Sequence, residues 1–201
     1  MTGRETGAAV LLVGAVRYAL AACAQVAAAE VPQPTPCAGW DLGTLLAHLN
    51  GSMADLETAL RTGRLDGGPP QDPVPRDLRA DALPDADALP DTAAGLLWAC
   101  YRPRQQFVAV AGVPVPAGIV ACTGAVEIAV HGWDVSEARG RGRPIPPGLA
   151  GRLLALCPLL VAGREDLFAD PVAVPPAGSP SDRLVGFLGR RPRRPSLVTD
   201  E

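Results

Sequence analysis

The segment DLGTLLAHLNGSMADLETAL, residues 41–60, decides how this chain is read. Leu42, Leu45, Leu46, Leu49, Met53, Leu56 and Leu60 recur at spacings of three and four, the pattern of an amphipathic helix with one buried stripe. Asp41 stands just ahead of the first periodic residue and is a candidate N-cap, able to accept from an orphan backbone N–H of the first turn. His48 lies one position from Leu49 and three from Leu45, at the border of the stripe. A ligand on that border can reach the interior of a helical bundle.

On the N-terminal side, Val31 to Pro36 carries three prolines, which remove backbone donors and force extended chain. They end a first helix predicted from about Thr6 to Glu30. Downstream, residues 63–90 are rich in Pro, Gly and Asp without a sustained period and predict a long loop, of the kind that often serves as a lid or a binding loop. A third helix is predicted from Asp91 to about Ala111, kinked at Pro103, before Val113-Pro114-Val115-Pro116 breaks the chain. The fourth, from about Ile119 to Arg139, carries Glu127, His131 and Asp134. A Gly/Pro/Arg linker at 140–146 leads to a fifth helix, Pro147 to about Val161, and a short one follows from Ser181 to Gly189. The run beginning Arg190-Arg191-Pro192 reads as a disordered basic end. Four long helices with negligible strand make an all-α four-helix bundle with short extra C-terminal helices, a scaffold that often builds metal sites from facing helices. Residues 1–190 are assigned to the bundle and 191–201 to the tail.

The composition agrees. In 201 residues, 48% are hydrophobic but only 4% aromatic, so the core is built from Ala, Leu and Val. That favours closely packed helices over a sheet, where β-branched and aromatic residues concentrate. A net charge of −3 argues against a nucleic-acid protein, which would show a basic face. All 18 basic residues are Arg. Schiff-base, lysine-base and P-loop chemistries are therefore excluded. The Arg usage, with abundant Ala, Gly and Pro, also suggests a GC-rich genome and an actinobacterial source. Five scattered cysteines without a C-x-x-C pair give neither a disulfide framework nor a zinc ribbon, and predict reduced thiols in a cytoplasmic protein. Ala8 to Val16 is apolar and superficially like a secretion signal. Arg17 ends it, however, and it is too short to span a bilayer.

The chain has two histidines, and both fall into one pattern. Glu127 and His131 are four residues apart, which stacks them on one helical face. With His48 from another helix they form a two-imidazole, one-carboxylate set. Such a set leaves coordination positions free, as in a catalytic zinc or non-heme metal centre rather than a closed structural one. The competing reading is two core histidines and an exposed Glu.

Other residues near these three have a plainer role beside a chemical one. Asp134, three positions after His131, suits a carboxylate that orients the imidazole; a salt bridge holding the helix end is the alternative. Trp40 and Trp133 read as packing anchors before substrate-stacking groups. Asn50 and Ser52 follow His48 within a turn and face either the metal cavity or solvent. Cys37 is a reactive thiol, a fourth ligand or, by preference, a buried structural cysteine, since no basic neighbour in sequence lowers its pKa. Arg102 and Arg104 form either a carboxylate clamp or ordinary surface.

Thr35-Pro36-Cys37-Ala38-Gly39-Trp40-Asp41, followed by Leu45-Leu46-Ala47-His48-Leu49, resembles the first signature of the DinB/YfiT-like metal-binding bundles. Glu127 to Asp134 (EIAVHGWD) resembles the second, and Ser179 to Leu184 (SPSDRL) is similar to the start of the C-terminal helix of short members. The branch it resembles is the actinobacterial one related to the N-terminal domain of mycothiol-dependent maleylpyruvate isomerase. The resemblance spans about residues 8–190. It implies a divalent metal, zinc first with iron, nickel or manganese as alternatives, held by His48, Glu127 and His131. It also implies mycothiol as a thiol cofactor in several relatives, and other chemistry, including secondary-metabolite tailoring, in others. Maleylpyruvate isomerases of this type carry a further C-terminal domain, for which the sequence after residue 190 leaves no room, so metal binding carries over more readily than the reaction.

The function expected is thus a metal-dependent S-transferase or isomerase acting with mycothiol on a small electrophilic or carbonyl metabolite. The alternatives are a tailoring enzyme using the metal as Lewis acid for isomerisation, cyclisation or hydrolysis, and a non-catalytic metal- or small-molecule-binding protein. A small-molecule partner is expected and neither nucleic acid nor membrane; a homodimer is left open.

Overall fold

A computed structural model describes residues 3–65, 88–102, 105–160 and 169–192. The predicted long loop lies largely outside them, as do Pro103, Arg104 and the tail beyond residue 192. The elements run α1 (Gly3–Cys23), a single 3-10 turn (Ala28–Glu30), α2 (Leu42–Thr62), β1 (Arg64–Leu65), α3 (Ala88–Tyr101), β2 (Phe107–Val110), β3 (Val113–Pro116), α4 (Ala117–Ala138), α5 (Pro147–Leu160) and α6 (Pro180–Phe187).

The predicted helical architecture holds. Asp41 caps α2 by accepting from Thr44 N at 2.8 Å, and the helix ends at Gly63, whose φ of 78° a side chain would resist. Leu42, Leu45, Leu49 and Met53 are fully buried, as the periodicity requires. α1 packs mainly on α4, and α2 packs between α3 and α4. The approach of α1 to α4 depends on Gly132: a Cβ there would lie 2.9 Å from Ala19 Cα. One continuous core runs from Ala8 on α1 through all the helices to Leu188. A smaller cluster of Ala22, Leu42, Leu45, Leu46 and Val135 closes the end of the bundle where α2 begins and α4 finishes.

The predicted boundaries change in two places. α1 stops at Cys23 rather than Glu30, and Arg139 collects carbonyls at its end and just beyond it. That guanidinium donates to the Ala22, Ala24 and Gln25 carbonyls at 2.7–2.8 Å and to Glu30 Oε1 at 2.9 Å. The side chain of Arg139 is fully buried, so it ties the end of α1 to the end of α4. The second change falls at the end of the predicted third helix. α3 begins at Ala88 and ends at Tyr101, and residues 107–116 form a hairpin instead of a helix end and a break.

The hairpin has a local cause. Ala111 and Gly112 both adopt positive φ (48° and 80°) between the paired Val110 and Val113, a two-residue turn whose twist suits antiparallel strands. Alternating valines fit the pleat, and Pro114 and Pro116 are tolerated because β3 is an edge strand. β1 adds to β2 in parallel, giving a sheet in the order β1-β2-β3. It is an appendage to a helical domain. No described helix is long and apolar enough to cross a membrane.

Candidate metal centre

The loop before α2 is built to present side chains to the start of the bundle. Leu42 N donates to Gln33 O and Gly43 N to Val31 O, pinning residues 31–33 beside the helix N-terminus. The Thr35 hydroxyl donates to the Trp40 carbonyl at 3.0 Å and accepts from Cys37 N at 3.1 Å, fixing the 35–40 turn. Cys37 and Trp40 therefore face α4. The Trp40 ring stacks on His131 at 6.2 Å between centroids and meets His48 edge-on at 4.7 Å.

His48 of α2 and Glu127 and His131 of α4 come together as expected from their spacing, with one donor atom of each within 4.8 Å of the others. His48 Nε2 lies 3.2 Å from Glu127 Oε1. The Ser52 hydroxyl, one turn along α2 from His48, donates to the same oxygen at 2.6 Å. Ser52 thus faces the cavity rather than solvent. The His48 and Glu127 side chains remain 32% and 36% exposed, so this cluster opens to the surface. The Glu127 carboxylate is crowded between α2 and α4, and that desolvation would raise its pKa. Hydrogen bonds from His48 and Ser52, with the positive charge that the two imidazoles carry when protonated, outweigh it and bring the group down to about 2.

A second cluster lies behind His131. Its Nδ1 is 3.2 Å from Oδ2 of Asp134, a residue with no exposed surface, and Cys37 Sγ is 3.2 Å from the same oxygen. Cys37, His131 and Asp134 also bring donor atoms within 4.8 Å of one another. A cation already sits among them: the Arg190 guanidinium reaches Asp134 Oδ2 at 2.9 Å through Nη2 and Oδ1 at 3.3 Å through Nε, and Nη2 lies 3.3 Å from Cys37 Sγ. Burial, with the Asp134 charge, pushes the Cys37 thiol up to about 12 against the pull of Arg190, so the thiol is protonated and donates. This second cluster is closed by Arg190, whereas the first is open.

The donor sets separate by chemistry. Two imidazole nitrogens and one carboxylate with free positions suit zinc or another first-row divalent ion. Asp134 meets the His131 imidazole and also forms a salt bridge with Arg190, which comes from beyond α6 rather than from the end of α4. Cys37 approaches His131 only from the Nδ1 side and belongs to the closed cluster. Trp133 is buried in the core, in keeping with a packing role. Asn50 Oδ1 is buried without a hydrogen-bond partner among the described residues. Arg102 lies over the exposed Trp98 ring at 4.5 Å. On the Arg190 side a cavity of about 610 Å³ is lined by Thr35, Trp133, Glu137, Arg190 and Arg191 among others, but by none of the open triad.

Sequence reasoning missed Arg190. It stands at the head of a Pro/Arg run that reads as an unstructured end, and only the glycine before it hints at a chain reversal.

The family described as the mycothiol maleylpyruvate isomerase N-terminal domain matches residues 13–136. This chain belongs to that family. The match covers the whole of α2 and both residues that α4 contributes to the open triad. Two relatives, described as uncharacterized proteins of Mycobacterium tuberculosis strains CDC 1551 / Oshkosh and H37Rv, are each 28% identical over 174 residues. The alignment takes in 85% of this chain and 90% of each relative. No solved structure matches the chain significantly. Membership of this helical family agrees with the all-α DinB-like fold expected from the sequence.

Proposed function

We propose that the chain is a divalent-metal-dependent enzyme in which His48, Glu127 and His131 hold the ion. It acts with mycothiol as an S-transferase or isomerase on a small electrophilic or carbonyl metabolite. The observation that carries this reading is the contrast between the two clusters around His131. One is closed by a guanidinium; the other presents three donors with about a third of the His48 and Glu127 side chains exposed. Family membership supports mycothiol as the thiol.

An ion at the open triad supplies a lowered pKa to a bound thiol or water and polarises a substrate oxygen. The chain's own residues set the geometry for this. Ser52 holds one oxygen of Glu127, Asp134 takes up Nδ1 of His131 and leaves Nε2 as a donor, and Trp40 covers both rings. Both histidines of the chain are committed to the triad, so it has no spare imidazole to act as base. The reactivity therefore resides mainly in the exogenous thiol or water.

The test is cobalt loading of metal-free protein. Close to one ion per chain is expected, with most of it lost in the His48→Ala, His131→Ala double variant. Adding mycothiol should change the visible spectrum equally in wild type and Cys37→Ser, and mycothiol should be consumed in the presence of a generic electrophile. Full metal retention in the double variant overturns the site. Metal binding and a thiol response without turnover would favour a non-catalytic binding protein. Thiolate ligation in the untreated protein, lost in Cys37→Ser, would mean a closed structural centre.

A further inference from the structure

We infer that Arg190, from the segment after α6, is a positioning residue for the metal centre. It acts through Asp134 to fix the ring of His131. The inference rests on the metal reading above and adds to it a device outside the region that the family match covers, which ends at residue 136.

The hydrogen bonds run in one direction. An ionised Asp134 only accepts. Its Oδ2 receives the Cys37 thiol and Arg190 Nη2, and it lies 3.2 Å from His131 Nδ1, while Oδ1 receives Arg190 Nε. Facing such an acceptor, the neutral imidazole carries its proton on Nδ1, and the lone pair that a metal requires is left on Nε2. The Arg190 guanidinium supplies the counter-charge of this carboxylate at 2.9 Å. A buried carboxylate of this kind needs a buried partner, and the Asp134 and Arg190 side chains are 0% and 11% exposed.

The segment that delivers Arg190 is itself well determined. Ser179 and Asp182 form a capping box that starts α6, and α6 packs on α5. At the other end, Leu188 N and Arg190 N return to the last turn of the helix, with Gly189 at φ 81°. A Cβ on Gly189 would meet Ala169 O at 2.7 Å, so the reversal that aims Arg190 at Asp134 accepts only glycine there. The Arg190 Nη1 atom also donates to the Leu188 carbonyl at 3.0 Å, which limits the side chain to this direction.

The test measures zinc affinity by chelator competition in wild type, Arg190→Gln, Arg190→Lys and Asp134→Asn, with the His48→Ala, His131→Ala protein as the reference for loss of the site. Arg190→Gln should bind zinc at least about ten-fold more weakly, in the range that loss of a ligand-orienting partner produces. Arg190→Lys, which keeps the charge but not the two-nitrogen grip, should fall between it and wild type. In an Asp134→Asn background, Arg190→Gln should add little, because the arginine acts through that carboxylate. A merely structural arginine would lower the melting temperature and leave affinity and the cobalt spectrum unchanged, which overturns the inference. If Arg190→Gln does not fold, Arg190→Lys and Asp134→Asn carry the decision: wild-type affinity in both rejects it. Retention of zinc by the double histidine variant would instead reject the metal reading itself, so the two failures are distinguishable.

Discussion

The hydroxyl of Ser52 donates to Oε1 of Glu127 across 2.6 Å, joining α2 to α4 at the atom that His48 also approaches. One helix therefore supplies both an imidazole and the group that orients the carboxylate on the other. Ser52→Ala should weaken zinc binding by about ten-fold while the saturating stoichiometry stays unchanged. Chelator competition measures it, and an affinity within two-fold of wild type would mean that packing alone holds Glu127.

The same carboxylate should make the metal-free protein sensitive to acid. Its pKa is lowered from 4.5 to about 2 in the folded chain, so its contribution to stability is complete above about pH 4.5. That contribution drains away as pH falls toward 2. Urea unfolding at a series of pH values should show stability falling over that window, with a shallower fall in Glu127→Gln. Identical profiles for the two proteins would remove Glu127 as a source of the dependence.

Gly132 should tolerate no side chain. An added methyl group meets the backbone of Ala19, which cannot swing aside as a side-chain tip can. Gly132→Ala should cost about 1–3 kcal/mol through overpacking, a fall in melting temperature of roughly 2–10 °C for a chain of this size. It should weaken metal binding too, because His131 and Trp133 flank the position. Equal melting temperatures for variant and wild type would show that α1 can move away from α4 without loss.

Gly151, exposed in the second turn of α5 with nothing within 4 Å of where a Cβ would stand, is the matched contrast. Gly151→Ala should raise stability by about 0.5–1 kcal/mol by restricting the unfolded chain and favouring helix. A destabilised Gly151→Ala protein would indicate a neighbour outside the described residues.

The helices were legible because their information is local. The leucine spacing from Leu42 to Leu60, the Asp41 cap and the proline breaks act within a turn or two of the chain. The metal candidates were legible for the same reason, since Glu127 and His131 share a helical face by spacing alone. The hairpin at residues 107–116 was not. A short apolar run such as Phe107-Val108-Ala109-Val110 suits a helix end or a strand equally, and the choice fell to the positive-φ turn at Ala111-Gly112 and to pairing with distant Arg64 and Leu65.

From its residues alone the chain specified an α-helical bundle, the absence of lysine chemistry, and three candidate metal donors on two helices. Tertiary packing settled which groups surround those donors. Ser52 turned inward, Cys37 joined Asp134 behind the ring of His131, and Arg190 came back from beyond α6 to hold that carboxylate. Contacts spanning 56 to 153 residues leave no periodic trace, because each depends on where whole helices come to rest rather than on neighbours along the chain.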